Sequence, residues 1–227
     1  MKRSSAGPIL VLFARPPKPG EVKPRLAAAL GDEKALALHR AFLLDSMELL
    51  HRVSPHGIRP AVAWSGAAAE ASASFTDALR GVEILEQQGD DPGQRMSGVL
   101  ADLLARGHDC VAIIGDDTPA LPLGHLLAAF ELLRDRDLVL GPSSDGGYYL
   151  LGARAVVPEI FRGISWGTDR VLAETLKLLK ILGLPRVQLP VYRKVDGPED
   201  LDELRSGLAE LRDSDPTARN TRQILAI

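Results

Sequence analysis

Short apolar runs alternate along this chain with segments in which apolar residues recur every three or four positions. The runs predict strands over residues 9–14, 58–64, 82–85, 110–114, 137–140 and 148–152. The periodic segments predict helices over residues 67–79, 123–133 and 169–182, one that begins with Asp32 as its N-cap, and one that ends near Arg106. This alternation implies an α/β fold, with a mostly parallel central sheet covered by helices on both faces.

Composition and charge narrow the class of protein. The length of 227 residues fits one domain, spanning residues 1–227, and 45% hydrophobic with 25% charged residues is typical of soluble globular proteins. A net charge of −3 argues against nucleic-acid binding, and the apolar stretches are far short of a membrane span. Cys110, the one cysteine, allows no disulfide framework. We see no signal-peptide pattern and expect a cytoplasmic protein, whose oligomeric state the sequence leaves open.

The segment Gly-Asp-Asp-Thr-Pro at residues 115–119 follows directly on the apolar run 110–114. It places two carboxylates at the C-terminal tip of a buried strand, the edge at which open α/β sheets bind ligands. Crowded carboxylates repel each other unless a cation lies between them, and Mg²⁺ or Mn²⁺ prefers such oxygen ligands. The alternative is that Asp117 or Thr118 caps a helix beginning near Pro119.

Basic residues follow the first predicted strand. The loop from Arg15 to Leu26 contains four cations, Arg15, Lys18, Lys23 and Arg25, a set that suits a diphosphate. Surface loops are also commonly basic without binding anything, so a solvated loop is the alternative. The chain has neither a G-x-G-x-x-G nor a G-x-x-x-x-G-K-[ST] pattern, which argues against a dinucleotide dehydrogenase and a P-loop NTPase.

Three further polar segments carry candidate site residues. The loop 88–96 opens a helix at which backbone amides and Arg95 could meet a phosphate, or it is a plain capped helix. Asp145, Gly146 and Gly147 form a strong turn signal, in which the glycines allow a close approach to a ligand and Asp145 is the functional group. Asp196 either lies at the N-cap of a helix or supplies a second carboxylate to the cation on Asp117.

The segment 163–167, Gly-Ile-Ser-Trp-Gly, matches the nucleophile elbow of α/β hydrolases. That elbow needs a strand before the serine and a histidine after it in the chain. All five histidines precede Ser165, so we interpret the match as accidental.

Taken together, these segments resemble the GT-A, or nucleotide-diphospho-sugar transferase, superfamily. They look most like a bacterial family of glycosyltransferases linked to arsenosugar biosynthesis, and the basic loop also resembles that of phospholactate guanylyltransferases. The resemblance runs from about Ile9 to Leu201 and rests on the basic loop 18–26, the segments 115–119 and 145–150, Trp166-Gly167-Thr168, and Val-Asp-Gly-Pro-Glu-Asp-Leu at 195–201. Asp116 stands where such relatives usually carry Ser or Thr.

The resemblance implies a Rossmann-like GT-A fold and roles for individual residues. It implies that Asp117 and Asp196 bind Mg²⁺ or Mn²⁺, and that Lys23 and Arg25 contact phosphate. We add Asp145 as a candidate base or hydroxyl ligand, with Gly146, Gly147, Tyr148, Trp166 and Thr168 as candidate substrate contacts.

The function predicted from these roles is metal-dependent transfer from a nucleotide-sugar to a small-molecule acceptor. Asp117, Asp145 and Lys23 are the candidate catalytic residues, and Arg15, Lys18, Lys23, Arg25 and Arg95 the candidate phosphate ligands. Nucleotidylyl transfer from an NTP and a non-catalytic nucleotide-binding domain are the alternatives.

Overall fold

The computed structural model describes residues 5–66, 68–185, 187–212 and 214–226, and within these ranges the chain forms seven strands and eight helices. The strands are β1 Ile9–Ala14, β2 Arg59–Trp64, β3 Glu83–Glu86, β4 Val111–Gly115, β5 Leu138–Pro142, β6 Tyr148–Ala153 and β7 Val187–Gln188. The helices are α1 Pro24–Leu30, α2 Asp32–Val53, α3 Ala68–Ala73, α4 Pro92–Ala105, α5 Leu123–Leu132, α6 Val171–Ile181, α7 Pro198–Ala209 and α8 Arg219–Leu225.

The strands form one sheet in the order β3-β2-β1-β4-β6-β5-β7. β1 is the third strand of the seven and pairs in parallel with β2 and with the central strand β4, whereas β6 runs antiparallel between β4 and β5. The parallel strands therefore end at one edge of the sheet, and β6 begins at that same edge. This arrangement brings the segments after β1 and β4 next to the β5–β6 turn.

Hydrophobic cores lie on both faces of the sheet, as the apolar strands predict. Leu10 and Leu12 of β1 belong to a cluster that includes residues of α2 and α5, whereas Ile9 and Val11 belong to a cluster that includes residues of α4 and α6. A strand buried on both faces is continuously apolar because each side chain meets a helical layer. The predicted α/β fold is confirmed.

Several boundaries differ from those predicted. The helix predicted over residues 67–79 covers only Ala68–Ala73 and continues as turns, while Ala67 lies outside the described residues. Gly31, rather than Asp32, is the N-cap of α2. Residues 24–30, of which 24–26 were assigned to the basic loop, form α1, because Pro24 suits the first turn of a helix. In the described ranges no helix is long and apolar enough to cross a bilayer.

The C-terminal helix α8 is attached to the middle of α2 through a buried carboxylate. Oδ1 of Asp45 accepts hydrogen bonds from the backbone and side-chain amides of Asn220, and Oδ2 accepts two from Thr221. Asp45 thereby pairs backbone donors at the start of α8, which a helix leaves unpaired. Burial raises the pKa of the Asp45 carboxyl, although these four hydrogen bonds oppose the shift.

Candidate functional site

A cavity of about 580 Å³ opens at the edge where β1 and β4 end and β6 begins. The cavity is lined by residues from the loop after β1, the tip of β4, the β5–β6 turn, the segment before α6 and the segment before α7. Nine of the predicted site residues meet there: Arg15, Arg95, Asp117, Asp145, Gly147, Tyr148, Trp166, Thr168 and Asp196. The fold thus brings together candidates that lie as far apart in the sequence as Arg15 and Asp196.

A second cavity of about 450 Å³ adjoins the first. Arg15, Arg95, Ser65 and Gln87 line both cavities, and Lys18 joins them in the second. Five carboxylates line the first cavity, those of Asp116, Asp117, Asp145, Asp169 and Asp196, whereas the second combines the three predicted cations Arg15, Lys18 and Arg95 with one carboxylate, Glu21. The site therefore has an acidic part and a basic part that share a border.

One of the two carboxylate oxygens of Asp117 is unpaired. Its Oδ1 is buried and has no hydrogen-bond partner among the described residues. This oxygen would lie 2.7 Å from a Cβ at position 115, so Gly115 leaves the space that it occupies. A buried oxygen without a partner is costly, and a cation ligand removes that cost. The capping alternative is wrong, because α5 begins at Leu123 rather than near Pro119.

Lys194 occupies the space between two of the carboxylates, a position that the sequence analysis missed. Its Nζ lies 2.8 Å from Oδ2 of Asp145 and 3.6 Å from Oδ2 of Asp117. Burial favours the neutral amine, but the two carboxylates outweigh it and raise the pKa of Lys194 above its ordinary value. The sequence does contain a signal that could have identified Lys194. Lys194 and Asp196 flank the buried Val195, so in an extended segment both side chains lie on the same side, opposite Val195.

Asp145 is held by the turn between β5 and β6. Its Oδ1 accepts hydrogen bonds from the Ser143 hydroxyl and from the Gly147 amide at 3.0 Å. Burial disfavours its charge, but these donors and Lys194 outweigh burial and lower the pKa of Asp145. The predicted turn and the predicted functional carboxylate therefore coexist. Gly146 has φ +81°, and a Cβ there would lie 2.0 Å from the Asp169 carbonyl oxygen.

Asp196 lies in the cavity next to the strand tip that carries Asp117. The amide of Val195 donates to the Asp117 carbonyl at 2.7 Å, which places the 194–196 segment against that tip. The Asp196 carboxylate forms an ion pair with Arg25 at 3.5 Å, and Arg25 also pairs with Glu199. The N-cap of α7 is Gly197, so Asp196 does not occupy the N-cap position that was the alternative to a metal ligand.

Lys23 and Arg25 lie behind the 194–196 segment rather than on the cavity wall. The Lys23 side chain is buried, donates to the Val195 carbonyl at 3.1 Å and lies 5.5 Å from the centre of the Phe42 ring. Arg25 is engaged by Asp196 and Glu199. In this conformation both cations contact the segment that carries Asp196, and the cavity cations are Arg15, Arg95 and Lys194.

Aromatic side chains form the wall opposite the carboxylates. Trp166 packs so closely on Gly93 of α4 that a Cβ there would lie 2.6 Å from its ring, and it meets Tyr148 edge-on at 6.5 Å between ring centres. Burial raises the pKa of Tyr148. Thr168 donates to the Ser165 carbonyl at 2.7 Å. The Ser165 hydroxyl contacts Glu174 and Arg170, an arrangement that differs from a nucleophile elbow.

The donors for a divalent cation are two carboxylates. Among the described residues, no group of three or more His, Cys, Asp or Glu side chains is arranged to hold a metal ion. Asp117 with its unpaired oxygen and Asp196 in the same cavity nevertheless fit a cation that takes its remaining ligands from phosphate oxygens and water, as Mg²⁺ commonly does.

A family model described as uncharacterized protein conserved in bacteria (DUF2064) matches residues 49–168. The chain belongs to this family. The match includes β4 with Asp117 and the turn with Asp145, and no curated protein matches the chain.

Solved structures extend the similarity to the whole fold. A protein from Desulfovibrio desulfuricans G20, provisionally named a nucleotide-diphospho-sugar transferase, is 30% identical with a TM-score of 0.84, covering 97% of this chain and 99% of that chain. A cytidylyltransferase from Leptospira borgpetersenii serovar Hardjo-bovis (strain JB197) is 14% identical with a TM-score of 0.58, and the match covers 98% of this chain and 94% of that chain. The 4-diphosphocytidyl-2C-methyl-D-erythritolsynthase of Anaerococcus prevotii DSM 20548 is 10% identical with a TM-score of 0.57, and the match covers 90% of this chain and 97% of that chain. This DUF2064 protein has the nucleotide-diphospho-sugar transferase fold, which confirms the predicted superfamily.

Proposed function

We propose that this protein is a transferase that acts on a nucleotide-activated substrate, with glycosyl transfer from a nucleotide-sugar as its reaction. The observation that carries the proposal is the unpaired, buried Oδ1 of Asp117 in a cavity that borders a basic one. A nucleoside diphosphate needs both parts: cations for its phosphates and carboxylates for the divalent ion that accompanies it. The name of the 30%-identical relative agrees with this substrate class.

Asp117 and Asp196 are the proposed ligands of Mg²⁺ or Mn²⁺. When bound there, the cation neutralises the diphosphate and makes it a better leaving group. Arg15 and Arg95 provide guanidinium groups at the border of the two cavities, and Lys18 extends the positive charge into the second. Arginine suits phosphate because its planar fork donates two parallel hydrogen bonds.

Lys194 and Asp145 complete the proposed chemistry on the acidic side. Asp145 is ionised at neutral pH and lies where an acceptor hydroxyl can donate to it, while Lys194 balances its charge and that of Asp117. Lys194, which pairs with both carboxylates, would be free to contact a phosphate oxygen if Asp117 held a divalent cation. Trp166 and Tyr148 offer faces and edges for packing against a sugar or a base.

A second candidate function is nucleotidylyl transfer, in which an NTP and a phosphorylated acceptor give a nucleotide-linked product and pyrophosphate. The specific observation in its favour is the second cavity, in which three cations outnumber one carboxylate, Glu21, so that its excess positive charge suits a triphosphate tail. The two reactions differ in the group released: a nucleoside diphosphate in glycosyl transfer and pyrophosphate in nucleotidylyl transfer.

The first experiment is a thermal-shift screen of UDP-, GDP-, ADP-, CDP- and TDP-sugars and the NTPs, each with and without Mn²⁺. A ligand at 100 times its Kd stabilises the folded state by about 2.7 kcal/mol, a readily measured shift in Tm. We expect Mn²⁺-dependent stabilisation by one nucleotide-sugar. Stabilisation by an NTP alone, with pyrophosphate release on adding acceptors, would replace glycosyl by nucleotidylyl transfer. Binding without turnover under every condition would indicate a non-catalytic domain.

The variant Asp117→Asn tests the metal ligand. The change preserves shape but removes the negative charge, so we expect the Mn²⁺-dependent part of the shift to disappear. Asp109→Asn is the matched control, because Asp109 precedes the same strand β4 at the opposite edge of the sheet. Full Mn²⁺-dependent binding by Asp117→Asn would refute the assignment.

A further inference from the structure

Arg15 is one of the four residues that line both cavities, and its backbone is held from two sides. Its N–H donates to Oδ2 of Asp116 at 2.9 Å, and its carbonyl lies 3.0 Å from Nε2 of His39. Asp116 comes from the tip of β4 and His39 from the middle of α2. The peptide groups before and after the Arg15 Cα are therefore attached to two different elements.

His39 has one protonation pattern that satisfies this contact. Its side chain is 1% exposed, and its Nδ1 has no hydrogen-bond partner among the described residues. A carbonyl oxygen only accepts, so Nε2 carries the hydrogen and donates it to Arg15. Burial lowers the pKa of His39, although Asp116 and the Arg15 carbonyl oppose this shift. The lowered pKa favours the neutral ring, and the contact with Arg15 selects this tautomer.

Asp116 has a different task from its neighbour Asp117. Adjacent residues at a strand tip point in different directions, and the Asp116 carboxylate contacts the Arg15 amide while Asp117 contacts Lys194. The Asp116 carboxylate thus binds the backbone of the basic loop. A charged acceptor makes a stronger hydrogen bond than a neutral one.

We propose that His39 and Asp116 are positioning residues that fix the backbone of Arg15, so that its guanidinium stands at the border of the two cavities. The proposal rests on the proposed function, in which Arg15 binds a phosphate group. A flexible side chain loses less entropy on binding when its Cα is already fixed, and held geometry is what a phosphate contact requires. The alternative is that His39 is an ordinary core histidine, because His108 makes the same kind of bond to the Gly7 carbonyl far from the site.

The first test measures the backbone alone and needs no ligand. We expect Asp116→Ala to speed hydrogen exchange of the Arg15 amide by about tenfold, because a charge-assisted hydrogen bond is lost. Asp116→Asn keeps an acceptor oxygen and should restore most of the protection. Asp109→Ala is the control, because it removes a carboxylate at the other end of β4. An unchanged Arg15 exchange rate in Asp116→Ala would overturn the proposal.

The second test measures binding of inorganic pyrophosphate with Mg²⁺ by calorimetry. Arg15→Ala defines the full loss of affinity, and we expect His39→Leu and Asp116→Ala each to lose about tenfold. His39→Gln, which can place an N–H near the same carbonyl, should bind more tightly than His39→Leu. His51→Leu is the matched control, because His51 lies on the same helix and contacts the Ala78 carbonyl. The double variant Arg15→Ala/His39→Leu should lose no more than Arg15→Ala alone.

The outcomes separate this proposal from the proposed function. If Arg15→Ala weakens pyrophosphate binding but both His39→Leu and Asp116→Ala bind like the wild type, the positioning role is refuted and the phosphate site stands. If Arg15→Ala leaves binding unchanged, the phosphate role of Arg15 is refuted, and the amide exchange still decides whether Asp116 holds its backbone. His39→Gln keeps the test decisive if His39→Leu fails to fold.

Discussion

Lys194 is the side chain that compensates the charges of Asp117 and Asp145. Without it, Asp117 and Asp145 would face each other as uncompensated carboxylates, which is unfavourable at the partial burial that both have. The ammonium therefore does in the free protein what a divalent cation is proposed to do in the complex.

The pH dependence of stability reports on the pair of Asp145 and Lys194. The pKa of Asp145 is lowered in the folded state, so its contribution is complete above its unfolded pKa of about 3.9 and is lost as the pH falls through the folded value. Because 49% of the Asp145 side chain is exposed, we expect Asp145→Asn to cost only about 1 kcal/mol at pH 7.

That difference between wild type and Asp145→Asn should begin to shrink as the pH falls below the unfolded pKa of about 3.9, and it should approach zero only below the lowered folded pKa of Asp145. Urea unfolding at several pH values measures it, with Asp135→Asn as a control on an exposed turn. A cost that stays constant down to the lowest pH would show that the ion pair contributes nothing to stability.

The sequence predicted which residues meet in the site better than it predicted what they touch. Local signals in the sequence, a strand tip for Asp117 and a turn for Asp145, predicted these two site residues, and both line the cavity. The environments of Lys194, Lys23 and Arg25 depend on the segment 193–199 packing against β4 and α1, contacts between residues more than 70 positions apart. Local periodicity carries no information about such pairs.

At the scale of elements, the β5–β6 turn also supports the start of α6. Gly146 has φ +81°, its carbonyl accepts from the Leu172 amide at 2.8 Å, and it packs against the Asp169 backbone. We expect Gly146→Ala to destabilise the protein by about 3 kcal/mol or more, because a Cβ 2.0 Å from a carbonyl oxygen forces the backbone apart.

Gly163→Ala isolates the conformational part of that cost. Gly163 has φ +68°, and a Cβ there meets nothing within 4 Å, so only the strain of the left-handed backbone, about 1 kcal/mol, should appear. Denaturant unfolding compares the two variants. Equal costs would mean that the α6 contact gives way without penalty.

The attachment of α8 to α2 gives a second prediction for an element. Asp45→Asn would replace one acceptor oxygen by an NH₂ group that faces two donors, so we expect a loss of about 3 kcal/mol. Hydrogen exchange should rise across residues 219–225 with little change in the central strands. Glu48→Gln, on a half-buried position of the same helix, is the control. An α8 protected as in the wild type would show that apolar packing alone holds it.

The predicted elements were most accurate where the apolar pattern was continuous. β1 has the predicted bounds because it is buried on both faces, and α6 lies within its predicted range. The run 148–152 was predicted as extended, but its antiparallel direction is fixed by the short turn after β5, which cannot accommodate a crossover. The short helices α1 and α8 were missed because tertiary contacts rather than periodicity define them.

At the scale of the whole molecule, the sheet has a cavity at each edge. The one at the edge where the parallel strands begin is about 590 Å³, as large as the candidate site, and His56, Asp109, Arg134 and Arg154 are among its lining residues. Cavity size therefore does not distinguish the edges. Chemistry does, because the unpaired Asp117 oxygen and the shared arginines are at the other edge.

Hydrogen exchange with and without a Mn²⁺–nucleotide ligand tests this assignment across the molecule. We expect protection after β1, before α4, at the tip of β4, in the β5–β6 turn and across residues 194–197, because these segments line the two adjoining cavities. The segments around His56 and Asp109 at the opposite edge should exchange as in the free protein. Asp117→Asn should abolish the Mn²⁺-dependent protection at the first edge while leaving the opposite edge unchanged. Protection centred on residues 56–58 and 109–110 would instead place the nucleotide in the opposite cavity and would contradict the proposed site.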